Sequence, residues 1–121
     1  MLRALSVLVL FFQINFAFAG ELQLWMAEQK GCYWCGRWNA GIAHIYPKTA
    51  EGKLAPLQRY DLHNDTPDIA LSGKVRFTPT FVLVQDGREL GRIEGYPGED
   101  FFWPLLKRLF DDADIKLEKA G

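Results

Sequence analysis

Residues 31–38 read GCYWCGRW and hold both cysteines of the chain, Cys32 and Cys35, with two aromatic residues between them. A pair at this spacing serves one of three chemistries: a redox dithiol, half of a metal clamp, or a local staple. Magnitude weighs against the staple, because closing so short a loop restrains the unfolded chain by roughly 2 kcal/mol before strain is subtracted, and long loops gain more. Structural zinc needs four ligands, and the chain adds only His44 and His63, separated far more widely than the paired histidines of a zinc site. Both histidines are expected to be ordinary surface or partly buried residues, so the site is expected to hold no metal. Gly36 after Cys35 excludes the haem-attachment pattern. Two thiolates alone suit Cu(I), which leaves a copper-transfer module as a rival to the redox reading.

The surroundings favour redox chemistry. Leu22, Leu24 and Met26 alternate with Gln23, Trp25 and Ala27, predicting a strand that leads to Gly31. Trp34, Trp38, Ile42 and Ile45 then fall at helical spacing, predicting a helix that starts at the cysteines and ends near Pro47. After a loop KTAEGKLAP, LQRYDL is a weaker strand, and Asn64-Asp65-Thr66-Pro67 reads as the start of a short helix over Asp68–Leu71, ended by Gly73. TFVLVQ is apolar on both faces, as a covered central strand should be. Asp86-Gly87 marks a hairpin into RELGRIEGY, with Gly91 a candidate bulge. Phe102, Leu105, Leu106, Leu109 and Phe110 form the stripe of a terminal helix, in which Pro104 is tolerable if the helix begins near Asp100. The order predicts an α/β domain, a small mixed sheet with helices on both faces.

The first residues read as a processing segment. A positive start, Met1-Leu2-Arg3, precedes the apolar run ALSVLVLFFQINF and the A-x-A pattern Ala17-Phe18-Ala19. Cleavage after Ala19 is expected, since the run is short for a membrane span and carries Gln13 and Asn15. Residues 1–19 are then a cleavable signal peptide, and residues 20–121 form one exported domain, expected in the periplasm and as a monomer. With 14 Lys+Arg against 15 Asp+Glu, the formal net charge is −1, and no basic face for nucleic acid is in view. The final DDADIKLEKAG is charged enough to fray.

An exported dithiol at a helix start has a built-in asymmetry. The thiolate is the attacking form, and unpaired N–H groups with the positive end of the helix dipole favour it at Cys32. Cys35, one turn inside, is the resolving thiol. Cys32 attacks a partner's disulfide or persulfide-type adduct, and Cys35 then attacks Cys32 and frees the reduced partner. Tyr33 is expected to face outward and touch partners. Trp34 either joins it or packs beneath the helix beside Trp38. Lys30 and Arg37 either add local positive charge or are solvated. Arg76 likewise either guides an acidic partner or is a solvated strand-end residue. Trp25, Trp38 and Phe81 are read as core.

CYWC at a helix start, VRFTPTFVLVQDGREL and Gly95 together resemble the thioredoxin-fold family over the whole mature chain. YPKTAEGKLAPLQRYDLH and GYPGEDFFWPLLKRL are similar, more narrowly, to the periplasmic thioredoxin-like proteins that accompany bacterial sulfur-oxidation (Sox) enzymes. The resemblance implies a cis proline at Thr78-Pro79 that faces the dithiol and offers backbone hydrogen bonds to a partner, in place of a trans proline opening a strand. It also implies a thiol-disulfide reductase without cofactor that keeps sulfur-carrier or related exported proteins active. Recharging from a membrane electron donor follows from the oxidising compartment. The chain departs from the family pattern by having Tyr33-Trp34 instead of Gly-Pro, and Met26 where a buried acid usually stands. Glu28 is either a substitute for that acid or a solvated residue. The same chemistry run as a disulfide oxidase or isomerase remains open, because direction depends on potential and redox partner.

Overall fold

The computed structural model describes residues 21–117, so the expected leader, residues 1–19, lies outside the described residues. Strand β1 (Leu22–Glu28) buries Leu22, Leu24 and Met26 on one face and turns Trp25 and Ala27 to the other. It pairs in parallel with β2 (Leu57–Asp61) and antiparallel with β3 (Thr80–Gln85), which pairs antiparallel with β4 (Arg88–Glu94). The strand order is therefore β2-β1-β3-β4, a mixed sheet. The parallel β1–β2 pair requires a crossover, supplied by α1 (Tyr33–Gly41), a 3-10 turn (Tyr46–Lys48) and α2 (Ala50–Leu54).

The main core lies on one face of the sheet. Leu24, Met26, Phe81, Leu83 and Ile93 meet Trp38 and Ile42 from α1, and Phe102, Leu106 and Phe110 from α3 (Glu99–Asp112). Trp38, Phe81 and Phe102 form an aromatic triangle with centroids 5.0–5.8 Å apart, in the tilted and edge-on geometries such rings prefer. Ile115 and Leu117 also pack on this core, so the described part of the charged tail is anchored.

Four expectations need correction. Helix α1 ends at Gly41, well short of Pro47, and its buried line runs through Cys35, Trp38 and Ile42. Trp34 and Ile45 are exposed, and His44 sits in the turn after the helix. Two glycines and Asn39 in nine residues give this helix little intrinsic stability, so packing of Trp38 sets its extent. The loop KTAEGKLAP contains α2, capped by Thr49, whose hydroxyl accepts from the Gly52 N–H at 3.0 Å. In α3, Pro104 is the sixth residue. Its missing N–H would have met the Asp100 carbonyl, and both residues are exposed, so the helix, which begins at Glu99, accommodates the proline as expected. Leu105 is half exposed and lies outside the buried stripe.

The fourth correction concerns the second face. No helix forms over Asp68–Leu71; the segment 62–79 is irregular and covers Ala27, Tyr60 and Trp25 with Leu62, Leu71 and Val75. Four residues repay helix nucleation with a single hydrogen bond. Ala70 instead pairs with the sheet edge, donating to the Gly87 carbonyl at 2.7 Å and accepting from the Glu89 N–H at 2.9 Å. An ion pair then pins the segment. Arg92 binds the Glu89 carboxylate at 2.6 and 2.7 Å and also donates to the carbonyl of Gly73, while Glu89 accepts from the Ser72 N–H.

The hairpin forms at Asp86-Gly87, both with positive φ. The extra residue of its bulge is Leu90, since Leu83 faces Gly91 and Val84 faces Glu89. Gly91 has a different use: a Cβ there would lie 2.7 Å from the Leu109 side chain, so its absence lets α3 approach β4.

Candidate active site

The site is built where β1 ends and α1 begins. The Cys32 N–H donates to the Gln29 carbonyl at 3.2 Å, closing a turn whose third residue, Gly31, has φ of 81°, a conformation glycine adopts freely. Cys32 is then the N-cap of α1, with extended backbone. Its sulfur accepts from the Cys35 N–H at 3.1 Å, the role an oxygen plays in an ordinary cap. The two sulfurs are joined in a disulfide, with Cα atoms 5.3 Å apart. Cys32 is half-buried at the rim, whereas Cys35 is only 3% exposed.

A shallow groove of about 560 Å³ runs past the pair, lined by Glu28, Gln29, Cys32, Tyr33, Cys35 and Asn39 among others. Tyr33 is 65% exposed and Trp34 51%, and their rings meet edge-on with centroids 5.0 Å apart. Of the two placements open to Trp34, the structure therefore has the outward one. Trp34 and Arg37 line a second groove with Tyr96 and Glu99, where burial and the Glu99 charge push the Tyr96 hydroxyl above its usual range against the opposing pull of Arg37. Lys30 and Arg76 are exposed.

Met26, at the position of the family's buried acid, is fully buried, with its sulfur 3.6 Å from the Arg59 guanidinium. Glu28 borders the groove, but both its oxygens are engaged: one by Arg59 at 2.8 Å, the other by Asn39 at 3.3 Å. Arg59 also donates to Asn39 and lies over the Trp38 ring at 5.8 Å.

The Thr78-Pro79 bond is cis. Pro79 is buried, and its carbonyl accepts from the Gly95 N–H at 2.7 Å. The Thr78 side chain is tied to Gln29, three residues before Cys32, by the Gln29 amide nitrogen, which donates to the Thr78 hydroxyl at 2.8 Å. Sequence reasoning passed over Gln29, Asn39 and Arg59. No spacing rule could have found them, because their partners lie 11 to 49 residues away.

No protein-family model and no curated protein matches the chain. Among solved structures it is similar to the crystal structure of the periplasmic thioredoxin SoxS from Paracoccus pantotrophus in its reduced form, with 54% identity over 77% of this chain and 99% of that one, at a TM-score of 0.74. The chain belongs to the thioredoxin family. Similarity to Fasciola hepatica thioredoxin, at 19% identity, 74% and 81% coverage and a TM-score of 0.52, reflects the shared fold. With the Cys-x-x-Cys motif of a thioredoxin intact at the start of α1, this protein is a thiol-disulfide oxidoreductase.

Proposed function

We infer that this thioredoxin acts as an exported reductase, in which Cys32 is the nucleophile and Cys35 the resolver. One observation carries the reading: the rim sulfur of Cys32 receives the Cys35 N–H at a helix N-terminus, and the Cys35 sulfur lies buried behind it. A negative charge on Cys32 is thereby stabilised, and the second thiol is held for an intramolecular attack.

The cycle balances as a two-electron transfer. The Cys32 thiolate attacks the partner's sulfur, forming one S–S bond and expelling the other sulfur as thiolate or hydrosulfide. Cys35, losing its proton, attacks the Cys32 sulfur; the partner leaves as a thiol and the protein is left as the Cys32–Cys35 disulfide. Tyr33 and Trp34 supply exposed aromatic area to the partner, and Thr78-Pro79 supplies backbone. Export through a cleaved segment at residues 1–19, residence in the periplasm as a monomer, and recharging by a membrane electron donor complete the reading. The sulfur-oxidation association in the name of the Paracoccus protein supports sulfur-carrier proteins, bearing cysteine adducts, as substrates.

The test is reduction of insulin by the reduced protein, with Cu(I) titration in parallel. Insulin reduction that disappears in Cys32→Ser supports the reading. No insulin reduction with tight one-to-one Cu(I) binding would replace it with a copper-transfer role.

A further inference from the structure

Gln29 joins three segments that are distant in sequence. Its backbone carbonyl accepts the Cys32 N–H and so closes the turn that starts the dithiol. Its side-chain amide nitrogen donates to the Thr78 hydroxyl, 49 residues away, at 2.8 Å. Its amide oxygen meets Nε2 of His63, 34 residues away, in the turn after β2. With the proton on Nε2, the ring donates to that oxygen, which leaves the amide nitrogen to face Thr78.

The loop receiving this tie has its remaining bonds arranged with equal specificity. The Thr80 hydroxyl donates to the Phe77 carbonyl at 2.6 Å, and the Pro79 carbonyl is taken by Gly95. The Thr78 backbone N–H and carbonyl have no partner among the described residues. Thr78 is therefore where an incoming chain finds free backbone groups, and Gln29 sets where Thr78 stands relative to Cys32. Phe77, 57% exposed, adds apolar area at the same place.

We propose that Gln29 is a positioning residue for partner capture: its carboxamide, oriented by His63, holds the Thr78 loop in register with the dithiol, so that a protein substrate is aligned on both at once. The inference rests on the reductase reading. It separates two quantities that a purely structural role would move together. A protein disulfide uses the loop and the dithiol, whereas a small aromatic disulfide needs only the Cys32 sulfur.

The experiment compares Gln29→Leu, Thr78→Val and the double variant in reduction of insulin and of 5,5′-dithiobis(2-nitrobenzoate), with thermal melts to confirm folding. Each single variant is expected to lower kcat/KM for insulin by about 10-fold through KM, with the double variant no worse than either, as one shared hydrogen bond demands. In Gln29→Leu the rate with the small disulfide stays within about twofold of the unsubstituted protein. Unchanged insulin kinetics in Gln29→Leu, equal slowing of both reactions, or additive effects in the double variant would each overturn the proposal. Failure of the unsubstituted protein to reduce insulin sinks the reductase reading itself, and this inference with it.

Discussion

The backbone N–H of Cys35 points at the sulfur of Cys32 from 3.1 Å, while the Cys35 sulfur receives no such bond among the described residues. The two thiols of one short motif thus occupy unlike electrostatic positions. Cys35→Ser should leave the first attack intact and stop the second, so a mixed disulfide with the partner accumulates. Cys32→Ser should capture nothing. Non-reducing gels of both variants expressed in their native compartment read the difference directly, and equal trapping by the two would contradict the assignment.

Tyr33 and Trp34 are large apolar groups left exposed beside the dithiol, an arrangement that adds nothing to the stability of the fold. Replacing either with Ala is expected to weaken protein-disulfide reduction by about 10-fold, the scale of an aromatic contact at the centre of an interface. Thermal stability should hold, because neither ring lies in the core. A melting point that falls with the activity would mean that the rings support the fold.

What could be read from the sequence follows from the range of the interactions involved. Strands β1 and β3, the Asp86-Gly87 hairpin and α3 were legible because their patterns are local: alternation, a turn pair and a stripe. The dithiol was legible because a helix start and two cysteines adjoin in sequence. Helix α2 was not, since its glycine at position 52 looks like a loop residue until Tyr46 is seen packed against it. The cover over the second face was not legible either. Glu89 and Arg92 look like ordinary charges of a surface strand, and only the fold brings the 70–75 segment onto them.

That ion pair makes a pH prediction. Burial pushes the Glu89 carboxyl up, but the hydrogen bonds from Arg92 and Ser72 outweigh it and hold the group below the ordinary value of about 4.5. A carboxyl lowered in the folded state contributes stability that is present above its unfolded value and is lost as pH falls through the folded value. Acid unfolding of the wild-type protein should therefore steepen below about pH 4.5. In Glu89→Gln that part of the pH dependence should flatten. Arg92→Met, which leaves the Glu89 carboxylate with only the Ser72 N–H as partner, should cost about 2 kcal/mol at neutral pH. Urea melts across the acid range measure both, and an unchanged acid limb in Glu89→Gln would remove the pair from the account of stability.

Gly52 and Gly41 offer the same chemical change with opposite expected signs. A Cβ on Gly52 would lie 1.8 Å from the Tyr46 carbonyl oxygen, which is backbone and cannot swing aside. The surrounding turn is tightly bonded: the Tyr46 hydroxyl donates to the Ala55 carbonyl at 2.6 Å, and Thr49 bonds both the Tyr46 carbonyl and the Gly52 N–H. Gly52→Ala must displace the segment that carries the chain from α1 to β2, at a cost of about 3 kcal/mol or more. Gly41, the last residue of α1, has nothing within 4 Å of an added Cβ and no positive φ. Gly41→Ala should stabilise by up to about 1 kcal/mol through helix propensity and a less flexible unfolded chain. Thermal melts should then show Gly52→Ala lowered by about 10 °C or more and Gly41→Ala raised by a few degrees. If Gly52→Ala melts with the parent, the close approach of α2 to Tyr46 does not hold the crossover together.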